Sequence, residues 1–218
     1  MKVGILSMQR IVNYGSFLQS YGLMKIVEGL GHEVEFVDFQ IEKPILNTSK
    51  EKRNYIRELT RNKIIEFISS KPKIINLMPN DKKEIFENIW KYKNDFLPLI
   101  RVGNEYNLNP KVDVLIVGSD EVFNLFQKSA RVGYSLELYG KNNNANKLIS
   151  YAASFGNTTI EKIIDSGKLE EVSENLQRFD SISVRDNNSG NNIKKLTNIE
   201  PNYNFDPVLM YDFSQEIP

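Results

Sequence analysis

Residues 112–124 read Val112-Asp113-Val114-Leu115-Ile116-Val117-Gly118-Ser119-Asp120-Glu121-Val122-Phe123-Asn124. An apolar, β-branched run stops abruptly at small and acidic residues. The run is far shorter than the roughly 20 residues needed to cross a bilayer. It shows no polar alternation, so it predicts a strand buried on both faces, the kind found in parallel α/β sheets. Ligands of such sheets bind beyond the carboxyl ends of the strands. Gly118, Ser119, Asp120 and Glu121 therefore stand where a site is expected.

The surrounding pattern supplies the rest of such a sheet. Residues 3–7 predict a first strand and residues 8–15 a loop. A helix over about 16–30 follows, with Ser16 and Gln19 at capping-box spacing and Phe17, Tyr21, Met24 and Val27 on one face. Gly29 and Gly31 bracket its end. Residues 33–39 alternate as a second strand, which makes a right-handed βαβ unit with parallel strands. Residues 41–108 differ: they are polar, rich in Lys and Asn, and punctuated by Pro44, Pro72, Pro79 and Pro98, with Pro110 just beyond. Helices over 54–69 and 82–96 are expected there, forming an insertion packed beside the sheet.

The sheet resumes at 112–118. Another strand covers 147–153 and ends at Ser154-Phe155-Gly156. Thr158 and Glu161 mark a helix start, and Leu169, Val172, Leu176 and Phe179 continue an apolar face. Residues 181–185 form a short strand, Asp186 caps a helix reaching about 196, and residues 203–205 lead into Asp206-Pro207. The fold class is thus a Rossmann-like α/β domain over 1–210, a parallel sheet with flanking helices and a helical insertion.

Composition narrows the function classes. The 218 residues carry 28 Lys and Arg against 28 Asp and Glu, so no net charge favours nucleic acid. There is no cysteine and one histidine, which disfavours thiolate, Ser-His and zinc chemistry. His32 falls at the start of the second strand, away from the rim. The N-terminus runs straight into a strand without a signal-peptide pattern, and no apolar stretch is long enough to span a membrane. A cytoplasmic protein is expected.

Four features fall at predicted carboxyl ends and would line one rim: Asn13-Tyr14-Gly15-Ser16, Gly118-Ser119-Asp120-Glu121, Ser154-Phe155-Gly156 and Arg185-Asp186. The helix start at Asn13–Ser16 suits an anion or a hydroxyl-rich ligand, or is a plain capped start. Asp120 and Glu121 suit sugar hydroxyls or a base, or Asp120 caps a following helix. Arg185 suits a phosphate or carboxylate, or pairs locally with Asp186 or Asp180. Ser154, Phe155 and Gly156 offer a hydroxyl and close backbone approach, or a turn. Neither a P-loop nor a GxGxxG pattern is present.

The order of these motifs resembles the polysaccharide pyruvyl transferase family. The resemblance rests on Asn13-Tyr14-Gly15-Ser16-Phe17-Leu18-Gln19, on Gly29-Leu30-Gly31-His32-Glu33-Val34, and on residues 117–124 through Asn124. It continues with Ser150-Tyr151-Ala152-Ala153-Ser154-Phe155-Gly156, with residues 179–186, and with Asp206-Pro207-Val208-Leu209. Gly-Ser-Asp-Glu stands where Gly-Ser-Asp-Gln is commoner. The resemblance implies the N-terminal half of a GT-B-like enzyme that moves pyruvate from phosphoenolpyruvate to two sugar hydroxyls as a ketal, in cell-surface (exopolysaccharide) biosynthesis. It implies no cofactor besides the donor substrate, and a sugar or lipid-linked glycan as acceptor, with peripheral association to a membrane-bound acceptor.

Asp120 and Glu121 would be catalytic. Asn13, Tyr14, Gly15, Ser16, Gly118, Ser119, Asn124, Ser154, Phe155 and Gly156 would bind substrate, and Arg185 the phosphoenolpyruvate. The family's proton donor is expected to be a histidine of a second domain. Members run to about twice a domain of roughly 150–200 residues. Residues 211–218 therefore read as the start of a linker to an absent C-terminal domain, and the chain alone is expected not to turn over. Two alternatives are a truncated, non-catalytic glycan-binding module and a GT-B glycosyltransferase using a nucleotide-sugar.

Overall fold

The computed structural model describes residues 1–42, 44–46, 49–127 and 133–216. Lys43, Asn47 and Thr48 of the expected insertion, and Ile217 and Pro218 at the end of the expected linker, lie outside the described residues. In chain order the strands are β1 (Lys2–Leu6), β2 (Glu33–Val37), β3 (Val114–Asp120), β4 (Lys147–Ala153), β5 (Ser183–Val184) and β6 (Asn202–Tyr203). The helices are α1 (Tyr14–Gly29), α2 (Ser49–Ser69), α3 (Pro72–Ile75), α4 (Asn80–Lys91), α5 (Ile160–Asp165), α6 (Leu169–Leu176), α7 (Asn187–Thr197) and α8 (Pro207–Met210).

The pairings between these strands are all parallel, and the sheet order is β2-β1-β3-β4-β5-β6. The chain builds outward from β1 to β2, then returns to add β3 on the other side of β1. That reversal opens a crevice beyond the carboxyl ends of β1 and β3, the position where open α/β sheets bind ligands.

Burial on both faces follows from strand alternation. Val3, Ile5 and Ile116 face a core shared with Phe17, Leu23, Met24 and Val27 of α1 and with Leu97 and Ile100. Leu115 and Val117 point the other way, into a second core with Leu136, Ile163, Val172, Leu176 and Ile193. Two buried cores on opposite faces make a helix–sheet–helix layering.

Several local expectations are corrected. The N-cap of α1 is Asn13, not Ser16: its side chain accepts from the amides of Gly15 and Ser16, and the Ser16–Gln19 spacing serves another purpose described below. Gly31, at φ 84°, ends the helix as the glycine pattern implies. The cap of α5 is Thr159 rather than Thr158. Gly167, at φ 69°, separates α5 from α6, and Phe179 lies beyond α6. Among the described residues no helix directly follows β3, so Asp120 caps none.

The expected helix over 82–96 changes character near its end. Its last turn, Tyr92–Phe96, is a π-helix, followed by a 3₁₀ turn at Leu97–Ile100. The wider turn stacks Tyr92 on Phe96 (6.0 Å between centroids) and sets both against Phe17 of α1. Aromatic packing against α1, which periodicity does not report, outweighs regular helix geometry here.

Phe123 anchors the second core. It is fully buried, stacks on Tyr139 at 5.3 Å and meets Phe155 at 5.3 Å. The Tyr139 hydroxyl donates to the Phe123 carbonyl at 2.7 Å, which ties the turn after β3 to the layer beneath. Phe123→Ala should therefore cost about 3–5 kcal/mol. Urea denaturation measures this, and a loss below about 1 kcal/mol would show that the aromatic cluster is not holding that turn.

Candidate functional site

The crevice at the β1–β3 reversal is built from side chains that cross between elements. Asn13 Oδ1 accepts from the amides of Gly15 (2.7 Å) and Ser16 (3.2 Å), fixing the start of α1 at the rim. One turn in, Ser16 Oγ donates to Asp120 Oδ2 at 2.8 Å. Another turn on, Gln19 Oε1 accepts from Ser119 Oγ at 3.1 Å. Ser7 Oγ donates to the Ser119 carbonyl at 3.2 Å. The Ser16 and Gln19 spacing thus lets one helical face reach the end of β3 twice. Gly118 is required by space: at φ 129°, an added Cβ would collide with the Tyr151 carbonyl oxygen.

A second group joins the ends of β3 and β4. Glu121 Oε2 accepts from Asn124 Nδ2 (2.7 Å) and Gln127 Nε2 (3.3 Å). Asn124 Oδ1 accepts from Thr158 Oγ1 at 2.7 Å and from the Phe126 amide at 3.0 Å. Gly156, at φ 54°, admits this contact, because a Cβ there would stand 2.5 Å from Glu121 Oε2. Ser154 Oγ donates to Asp186 Oδ2 at 2.7 Å and accepts from the Gly156 amide at 2.9 Å. Asp186 Oδ1 accepts from the Ser189 amide at 2.8 Å, as an N-cap of α7. Phe155 is wholly buried, so only its backbone borders this region.

Arg185 departs from both expected pairings. Asp180 is taken by the Leu148 amide (2.8 Å) and Asp186 by its cap and Ser154. Arg185 Nη1 instead binds Asp206 Oδ2 at 2.7 Å, and Nη2 lies 3.5 Å from Asp120 Oδ1. Asp206 Oδ1 meanwhile accepts from the Val208 amide at 3.0 Å and caps α8. One guanidinium thus lies between two carboxylates, on side chains about one-fifth exposed. Burial, followed by the charge of Asp206, pushes the Tyr151 phenol above its ordinary pKa. It stays a neutral hydrogen-bond donor at physiological pH.

A cavity of about 430 Å³ opens beside this rim, between α2 and the loop after β1. Arg10, Val12, Asn62, Lys63, Lys93 and Tyr106 contribute to its lining. Arg10 is fixed: its Nε and Nη2 fork onto Asp38 at 2.5 and 2.7 Å, and Nη1 and Nη2 reach the carbonyls of Gly103 and Glu105 at 2.8 Å. Burial pulls its pKa down, but the Asp38 hydrogen bond and charge more than offset this, leaving it above the ordinary value. Asn62 Nδ2 is buried without a hydrogen-bond partner among the described residues. Tyr14 is half exposed and sets its edge against Tyr92 (5.7 Å) and Phe96 (5.1 Å), next to the cavity-lining Lys93 and Asn94.

The four sequence motifs converge. The segment Asn13-Tyr14-Gly15-Ser16 reaches Gly118-Ser119-Asp120-Glu121 through Ser16 and Asp120, with Gln19 on Ser119 one turn further. Asn124, Ser154 and Gly156 lie behind Glu121, and Arg185 closes the far side. Sequence reasoning missed Gln19, Asp206, Arg10 and Asp38. Asp206 had a readable signal, since an Asp directly before Pro207 is the signature of a helix start. Arg10 had none, because its partner lies at the end of another strand.

Hydroxyls, amides and carboxylates gather at the switch point of an all-parallel sheet, the position of a candidate ligand site in an α/β domain. The chain belongs to the polysaccharide pyruvyl transferase family, whose profile matches residues 13–218. Neither a curated protein nor a solved structure matches it significantly.

Removing the guanidinium leaves Asp120 and Asp206 without their shared cation and unties the α8 cap residue from β5. Arg185→Met should destabilise the fold by about 1–3 kcal/mol, read from the urea midpoint. An unchanged midpoint would show that Arg185 does not hold α8 to the rim.

Proposed function

We propose that this chain is the acceptor-side, N-terminal portion of a pyruvyl transferase of GT-B-like architecture that works in the cytoplasm on a sugar or lipid-linked glycan. In the reaction, two hydroxyls of one sugar form two C–O bonds to C2 of phosphoenolpyruvate. The enol CH₂ gains a proton and becomes CH₃, and the C2–O bond to phosphate breaks. The two hydroxyl protons are accounted for by the new methyl group and the departing phosphate. The reaction needs a base near the hydroxyls, cationic groups near the phosphate, and an acid at the enol carbon. The acid is assigned to a second domain, because His32 sits at the other end of β2.

The observation that carries the reading is Asp120 at the sheet reversal, whose Oδ2 accepts from Ser16 at 2.8 Å and whose Oδ1 accepts from the Glu121 amide at 2.9 Å and lies 3.5 Å from Arg185. Asp120 is the base for the attacking hydroxyl in this proposal. Glu121, engaged by Asn124 and Gln127, orients the sugar. Asn13, Tyr14 and the backbone of Gly15, Gly118 and Gly156 contact the ring. Asp120, Glu121, Asp186 and Asp206 outnumber Arg185, so this rim favours hydroxyls over a free anion. Arg185 meets the donor by exchanging its longer contact, that with Asp120, for the incoming carboxylate.

The test uses the chain with a panel of neutral oligosaccharides, read by saturation-transfer NMR, and with phosphoenolpyruvate, read by ³¹P NMR. Glycan contact is expected and should weaken at least about tenfold in Asp120→Ala. No glycan contact, or contact indifferent to Asp120, would sink the acceptor-side reading. Glycan contact without phosphate release when a full-length protein is assayed supports a binding module instead. Release of a nucleotide from a nucleotide-sugar supports the glycosyltransferase.

A further inference from the structure

Helix α2 presents an unusual outer face. Arg53, Ile56, Arg57, Thr60, Lys63, Ile64 and Phe67 recur every three or four residues and are all exposed. Three of them are large apolar side chains: Ile56 is 63% exposed, Ile64 54% and Phe67 57%. Three are cations, and Lys71 from the next turn lays its Nζ 4.2 Å over the Phe67 ring. The acids of α2, Glu51, Glu58 and Glu66, fall outside this row, and Glu66 turns toward Lys93 at 3.7 Å. A merely solvated charged face would intersperse both signs and bury its isoleucines.

The charge is also segregated at larger scale. From Ser49 to Lys91 the sequence holds eleven Lys and Arg against six Asp and Glu. The whole chain balances at 28 of each, so the remainder carries the opposite excess of five. Among the described residues, no helix is long and apolar enough to cross a membrane. Apolar side chains ringed by cations on one helical face match the chemistry of a surface that lies on anionic lipid headgroups.

We propose that the outer face of α2 is a docking surface for an anionic membrane, with Ile56, Ile64 and Phe67 entering the headgroup–acyl boundary and Arg53 and Arg57 meeting lipid phosphates. The adjoining side of the same helix lines the 430 Å³ cavity beside the rim through Leu59, Asn62, Lys63 and Glu66. A helix is only about 10–12 Å thick with its side chains, so docking brings a bilayer-anchored molecule within one helix diameter of that cavity. The inference gives the peripheral association expected of the transferase reading a named surface, and its observations are those of α2 alone.

Flotation of the protein with phosphatidylcholine vesicles, with and without phosphatidylglycerol, tests this directly. Binding should require phosphatidylglycerol and fall as salt rises. It should weaken at least about tenfold in Arg53→Glu/Arg57→Glu and in Ile56→Ser/Phe67→Ser. All four positions are exposed, and circular dichroism verifies that the variants stay folded. Equal binding to both vesicles, no binding to either, or full binding by either variant overturns the proposal. So does a concentration-dependent dimer that the Ile56→Ser/Phe67→Ser variant abolishes in sedimentation, because the face would then pair with a second copy.

Discussion

Asp120 accepts a hydrogen bond from Ser16 with one oxygen, while the other faces Arg185, which in turn holds Asp206. Through these contacts the start of α1, the end of β3, the end of β5 and the cap of α8 are fixed relative to one another. Backbone pairing sets the strands parallel but does not decide where the loops beyond them lie. The polar chain does, and it is partly buried, where each member depends on the others for its partners. The crevice keeps its shape because one carboxylate is shared rather than because any single contact is strong.

That sharing has an electrostatic consequence. An arginine held between two aspartates is already largely neutralised, so it offers an anion only the contact it can release. An incoming anion gains from Arg185 only what it can take from Asp120, the partner at 3.5 Å, whereas Asp206 at 2.7 Å also caps α8. Hydroxyl groups face no such competition, since they can donate to the carboxylates without displacing the guanidinium.

The sequence revealed the sheet better than the wiring above it. The run at 112–118 and the alternation at 33–39 locate strands because side-chain period reports burial directly. The same logic placed all four rim motifs, since a parallel sheet leaves its carboxyl ends together. It failed where partners are distant in sequence. Ser16 and Gln19 looked like a local cap, yet their spacing equally serves a helical face that reaches Asp120 and Ser119, about a hundred residues away. The local alternative for Arg185, a pair with Asp180 or Asp186, fails because its carboxylate partner is 21 positions on. The π turn at Tyr92–Phe96 was invisible because aromatic packing, not propensity, dictates it.

The separation of charge between the insertion and the sheet gives a molecule with no net charge a permanent dipole. In a non-uniform field such an object feels a torque as well as a pull. Near a negatively charged surface it turns its basic end inward before any side chain touches. This alignment acts only within about one Debye length, roughly 8 Å at physiological salt. The insertion thus behaves as a compass needle fixed to the sheet: it selects which side of the protein arrives first and leaves the rim's own acidic character untouched.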